Sequence, residues 1–196
     1  MKPTEVLVVR HGQSEWNALG RWQGQEDPPL TQLGRSQAAD AARAVGAIDA
    51  VFASPLQRAS LSAQIIADHV GVAPVVVLDG LMERDAGEWQ GLTRDEIEAQ
   101  WPGYLAAGDR PPSWEPDQHV EARALGSIEA MASSVPGGSL LAVAHAGIIY
   151  ALERALDGAF STVANLEGRR FTYDGNSFTL GERVHLLSDE TVPGQI

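Results

Sequence analysis

Four short apolar runs constrain this chain most: Glu5–Val9, Ala50–Ala53, Val75–Leu78 and Leu140–Ala144. Each is continuous rather than alternating, the mark of a strand buried on both faces. Helix-patterned stretches lie between them. Thr31 reads as the N-cap of an Ala-rich helix running to Val45 and closed by Gly46. Ser54-Pro55 reads as a cap followed by proline at the first helical position, with a helix to Val70 before Gly71. Further helices are expected over Thr93–Gln100, Glu121–Val135 and Ile148–Leu156, with loops at 20–30, 81–92 and 108–117. The tail is expected to hold strand pieces at Phe171–Tyr173, Phe178–Leu180 and Val184–Leu187, with Asp174-Gly175-Asn176 as a hairpin turn. Strands alternating with helices predict a single α/β domain over 1–196. Its architecture is a three-layer sandwich, a mainly parallel central sheet with helices on both faces.

Composition narrows the function. The formal net charge is −12, which repels large polyanions and argues against nucleic acid or an anionic membrane as partner. The apolar runs are strand-sized, far short of a bilayer span, and no leader peptide is expected. With no cysteine in the chain, disulfides, cysteine zinc sites and thiol catalysis are excluded. Lys2 is the only lysine among fourteen basic residues, so nearly all cations are Arg, the side chain suited to bidentate contact with carboxylate or phosphate. These features favour a cytoplasmic enzyme acting on something small.

Ligands of parallel sheets bind beyond the carboxyl ends of the strands. That rule singles out Arg10-His11-Gly12 after the first strand and His145-Ala146-Gly147 after the fourth. Arg58 falls in the first turns of the helix after the second strand, where a helix N-terminus and a guanidinium together favour an anion. Glu83 lies in the loop after the third. Each has a bland alternative: a turn-bonded histidine, a solvated arginine, a solvated carboxylate. His69, His119 and His185 are read that way, as a helix-end, a loop and a strand histidine. No metal-ligand spacing links them, so no metal and no cofactor is expected.

Taken in order, five segments resemble the histidine phosphatase superfamily, also called phosphoglycerate mutase-like. They are Leu7–Asn17 (LVVRHGQSEWN), Gly24–Gly34 (GQEDPPLTQLG), Ser54–Ala67 (SPLQRASLSAQIIA), Leu81–Thr93 (LMERDAGEWQGLT) and Val143–Leu152 (VAHAGIIYAL). The resemblance implies that His11 is the nucleophile, that Arg10, Arg58 and His145 cradle the phosphate, and that Glu83 gives the proton to the leaving oxygen. Asn17, Gln23, Gly24 and Ala146 complete the implied substrate-binding set. The texts GRWQG at 20–24, WQGLT at 89–93 and WEP at 114–116 are similar to glucosyl-phosphoglycerate phosphatases. Departures are Ala146 where Gly is common, Ser62 for a frequent Thr, and Glu115–Glu121 where many relatives carry Gly-Glu-Ser.

This chemistry suits the residues. A phosphoryl transition state spreads charge over equatorial oxygens, so positioned cations supply most of the catalysis. A histidine nucleophile must be neutral, and nearby guanidinium groups disfavour its protonated form. The expected activity is a phosphatase on a small phosphorylated metabolite, a sugar phosphate or phosphoglycerate derivative. A phosphoglycerate mutase and a catalytically inactive phospho-ligand binder are the alternatives, and a homodimer is the assembly considered.

Overall fold

The structure, a computed structural model, describes residues 2–187. Residues 1 and 188–196 of the expected 1–196 domain lie outside the described residues. Among the described residues six strands form one sheet: β1 (Thr4–Arg10), β2 (Ala50–Ala53), β3 (Val75–Val77), β4 (Ser139–Ala144), β5 (Glu167–Tyr173) and β6 (Phe178–His185), in the order β3-β2-β4-β1-β5-β6. The first four in that order pair in parallel, and β5 and β6 are antiparallel additions. The helices are α1 (Glu15–Ala18), α2 (Gln32–Ala44), α3 (Gln57–Val70), α4 (Arg94–Gln100), α5 (Tyr104–Ala107), α6 (Asp117–Ser134) and α7 (Ala146–Ala155).

Strand alternation explains the unbroken apolar runs. Val6 and Val8 of β1 face one core with Phe52, Leu140, Ala142 and Ala144, packed against Ile128 and Met131 of α6 and Ile148 and Leu152 of α7. Leu7 and Val9 face the opposite core with Val51, Ala53, Leu141 and Val143, packed against alanines of α2 and α3. Both faces are therefore buried along Val6–Val9 of β1 and Leu140–Ala144 of β4, and these stretches carry no polar residue. A third, smaller cluster gathers Trp89 and Ile97 with Trp22, Trp101 and Trp114 beside the sheet. Among the described residues no helix is long and apolar enough to cross a membrane.

Four expectations need correction. Val75–Leu78 was expected as a buried strand, yet Val76 and Val77 are 41% and 50% exposed. Among the described residues β3 is the sheet edge with β2 as its sole neighbour, so apolar sequence alone overstates its burial. Helix α3 begins at Gln57, after Leu56, and Ser54 does not cap it. The Ser54 hydroxyl is instead shared between His145 and the Leu56 amide. Helix α6 begins at Asp117 directly after Pro116, so His119 lies in its first turn and not in a preceding loop. Proline fixes a helix-compatible φ before the first turn, and Asp117 complements the positive helix end. The separate pieces expected at 178–180 and 184–187 are one strand, β6, ending at His185.

One backbone contact ties the first loop to α2. A Cβ on Gly34 would lie 2.1 Å from the Gln13 carbonyl oxygen, and one on Gly12 would lie 2.4 Å from the Gly34 carbonyl oxygen. Both obstacles are backbone, so no side-chain rotation relieves them. Gly34→Ala is expected to lower unfolding free energy by about 1–3 kcal/mol through overpacking, measured as a shift of the urea midpoint.

Candidate active site

Register alone brings two histidines together. In the β1–β4 ladder Arg10 stands opposite Ala144, so the next residues, His11 and His145, leave the sheet side by side. Their ring centroids are 5.2 Å apart in an edge-on arrangement. β2 adds a third neighbour, because Ala53 pairs with Val143 and Ser54 follows it. Three adjacent parallel strands thus end in Ser54, His145 and His11, all buried.

The hydrogen bonds set the tautomers. His11 Nδ1 lies 2.6 Å from the Gly12 carbonyl oxygen, which can only accept. Nδ1 therefore carries the proton, and Nε2 is left with its lone pair. His145 Nε2 meets Ser54 Oγ at 2.8 Å. Ser54 Oγ accepts from the Leu56 amide, so its own proton can go to Nε2. That assignment leaves Nδ1 of His145 as a donor, and this atom is buried with no partner among the described residues.

Two guanidinium groups share this buried region. Arg10 donates through Nη1 to the Val163 carbonyl at 2.8 Å. Arg58, fully buried, donates to the carbonyls of Glu26 and Gly24 at 2.6 and 2.8 Å. Burial lowers the Arg10 pKa and brings that of Arg58 down to about 10. Burial first, then the Arg58 and Arg10 charges, hold His11 well below its ordinary 6.5. His145 is depressed by burial first and then by Arg58, His11 and Arg10. Both rings are thus neutral near pH 7, as expected for the nucleophile, with burial the larger cause and the guanidinium charges second.

Glu83 enters from the loop after β3. Its carboxylate accepts from the amide of Arg84 at 2.7 Å and of Gly147 at 3.2 Å, tying it to the first turn of α7. A Cβ on Gly147 would lie 2.1 Å from Glu83 Oε1, so only glycine admits the carboxylate there. Asn17 ends a capping box with Ser14 on α1, and Gln23 Oε1 accepts from the Ser14 hydroxyl at 2.7 Å.

A cavity of about 680 Å³ opens over these groups. Arg10, His11, Asn17, Gln23, Gly24, Glu83 and Ala146 line it. Arg58 and His145 do not: they sit behind the lining, against His11, and act on it through charge and contact. Three further polar residues support the site, of which Asn165 carries no motif signal. Asn165 donates to the His11 carbonyl at 2.8 Å from 154 positions away. Ser62 accepts from the Gly12 amide and donates to the Arg58 carbonyl, both bonds that Thr would also make. Ser54 reads in the sequence as a helix cap at the head of the Ser54–Ala67 segment, with no sign of its bond to His145. Among the described residues no group of three or more His, Asp or Glu is placed to hold a metal ion. Chemically, the arrangement offers a neutral ring nitrogen beside fixed cations and within reach of a carboxyl group.

Residues 6–180 match the family described as histidine phosphatase superfamily (branch 1). A glucosyl-3-phosphoglycerate phosphatase of Mycobacterium tuberculosis is 34% identical over 171 residues, covering 80% of this chain and 76% of that protein. A 2,3-bisphosphoglycerate-dependent phosphoglycerate mutase of Methylobacterium radiotolerans is 33% identical over 170 residues, covering 78% and 79%. Among solved structures, a mycobacterial glucosyl-3-phosphoglycerate phosphatase complexed with VO3 superimposes with a TM-score of 0.82 at 30% identity, covering 90% of this chain and 96% of that one.

The depressed histidines have a linked cost. Below pH 6.5 the unfolded chain binds protons that folded His11 and His145 refuse, so stability falls as pH falls toward the folded-state values. The slope is up to about 1.4 kcal/mol per pH unit for each ring. Replacing His145 by Gln is expected to flatten this slope, read from urea unfolding followed downward from neutral pH.

Proposed function

We propose, from the premise that this chain belongs to the histidine phosphatase superfamily, that it is a cytoplasmic phosphomonoester phosphatase working through a phosphohistidine in a single catalytic domain. The observation that carries this is the neutral His11 Nε2, aimed by the Gly12 carbonyl and flanked by buried Arg10 and Arg58. In the first step Nε2 attacks phosphorus and the ester P–O bond breaks. Arg10, with Arg58 and His145 behind it, balances the charge on the equatorial oxygens. Glu83 serves as the general acid that gives a proton to the leaving oxygen. In the second step Glu83 takes a proton from water, the water oxygen attacks phosphorus and the P–N bond breaks. Inorganic phosphate leaves and His11 is neutral again.

The cavity is larger than a phosphate group needs and suits a small metabolite, a sugar phosphate or phosphoglycerate derivative. Trp22, Trp114, Tyr150 and Phe160 supply aromatic wall away from the cradle. Four arginines line the outer part. Arg21 pairs with Glu96, Arg84 with Asp117, and Arg154 with Asp117 and Glu121. Arg110 stacks over Trp89 and Trp114 at 5.4 and 5.1 Å and has no carboxylate partner among the described residues. It is the rim cation available to a second anionic group. A second copy of the chain would pair on the open edge of β3, covering Val76 and Val77.

His11→Ala is expected to abolish phosphate release from p-nitrophenyl phosphate, and Glu83→Gln to slow it by about 10²–10⁴-fold. Labelled substrate should leave an alkali-stable, acid-labile phosphoenzyme in the wild type and none in His11→Ala. Conversion of 3- to 2-phosphoglycerate without free phosphate would establish the mutase instead. Arg110→Gln is expected to reduce the kcat/KM ratio of 3-phosphoglycerate over p-nitrophenyl phosphate by about tenfold, the worth of one charge-assisted contact.

A further inference from the structure

The outermost strand of the sheet reaches the phosphate cradle through one side chain. Arg183 lies on β6, two strands away from β1. Its guanidinium grips the buried Glu153 of α7 in a two-pronged ion pair at 2.6 and 2.7 Å. The same group donates to the carbonyls of Ser161 and Thr162 at 2.9 and 3.4 Å, and to Glu167 at 3.2 Å. Glu167 in turn accepts from the Ala164 amide at 2.8 Å. The segment 158–166 is therefore held from outside by Arg183 and Glu167.

From inside, that segment holds the catalytic loop. The Val163 carbonyl takes the single hydrogen bond of the Arg10 guanidinium among the described residues. The Val163 amide donates to Tyr150 Oη at 3.0 Å, Asn165 holds the His11 carbonyl, and the Leu166 amide donates to the Arg10 carbonyl at 3.0 Å. The segment is bounded by Asp157 and Leu166, both non-glycine residues in the left-handed region at φ 57° and 56°. Such backbone persists only when its surroundings over-determine it. One peptide link separates Thr162, which Arg183 holds, from Val163, which holds Arg10.

We propose that Arg183 is a positioning residue for the phosphate cradle, acting through segment 158–166 to aim the Arg10 guanidinium. Its pairing with Glu153 has a second effect. Glu153 lines the cavity, and Arg183, with Arg169 at 3.4 Å, neutralises a carboxylate that would otherwise repel a phosphate ester. This inference rests on the phosphatase reading, since it concerns how Arg10 meets phosphate.

The test uses the full chain in two variants. Arg183→Lys keeps a charge but loses the two-pronged grip. The double variant Arg183→Met/Glu153→Met removes both partners of the two-pronged pair, an exchange that stability tolerates better than loss of one partner; it also takes Glu153 from Arg169 and Arg183 from Glu167, so its unfolding midpoint is read beside that of Arg183→Lys. Kinetics on p-nitrophenyl phosphate, inhibition by vanadate and the pH dependence of kcat/KM are read beside the unfolding midpoint. Misplacing one cradle group by about an ångström should cost about 10- to 100-fold in kcat/KM and weaken vanadate similarly. The acid limb should also move to higher pH. The groups facing His11 are Arg10 from β1, Arg58 from α3, His145 after β4 and Glu83 from the loop after β3, and only Arg10 is displaced. Arg170→Gln, which breaks an exposed pair with Glu182 on the same hairpin, serves as the control. Folded variants with wild-type kcat/KM and an unmoved acid limb would overturn the inference. So would activity lost only in proportion to unfolded protein. A wild type that fails to hydrolyse p-nitrophenyl phosphate would instead overturn the phosphatase reading.

Discussion

Arg10 and Arg58 are buried cations whose partners are carbonyl oxygens, not carboxylates. The rest of the site depends on this choice. A carboxylate would cancel the charge, whereas carbonyl dipoles orient a guanidinium and leave its charge to act on a ligand. The chain must then bring irregular backbone into the interior to supply those oxygens. The loop at Gly24–Glu26 does so for Arg58, and Val163 does so for Arg10. The histidines stay neutral, held so first by burial and then by the resulting positive field. Nucleophile, cradle and loop conformation thus follow from one electrostatic arrangement.

The same logic explains how an acidic chain serves an anionic substrate. Its formal charge of −12 is spread over the molecule, while Arg21, Arg84, Arg110 and Arg154 surround one opening. Three of these are tied to Asp or Glu at the rim, which fixes their positions. A small ester meets the local field of the cleft within a Debye length of about 10 Å. A long polyanion would meet the acidic remainder as well.

Much of this was legible in the sequence because it rests on short-range rules. The apolar runs of β1 and β4 follow from burial on both faces, and His11 and His145 follow from their position at strand ends. The remainder depends on long-range placement. Val76 and Val77 read as core, and only sheet order makes them an edge. Ser54 reads as a cap because nothing local shows His145 competing for its hydroxyl. Asn165 and Arg183 act through partners far along the chain, and no spacing rule connects them to His11. Helix α6 reads from Glu121 because Pro116 groups with Pro111 and Pro112 as loop, whereas the helix starts at Asp117.

The position of β1 in the sheet carries a consequence for how the molecule is made. This strand sits between β4 and β5, whose pairing residues come more than 130 positions later in the chain. A ribosome therefore releases the nucleophile early and its walls late. Until Leu140–Ala144 and Glu167–Tyr173 emerge, the apolar β1 has neither neighbour, and His11 lacks both the adjoining His145 and the Asn165 that holds its carbonyl. Closure of such distant pairings is slow, and it exposes apolar strand meanwhile. Reactive chemistry is thus assembled last, by the same pairings that complete the sheet.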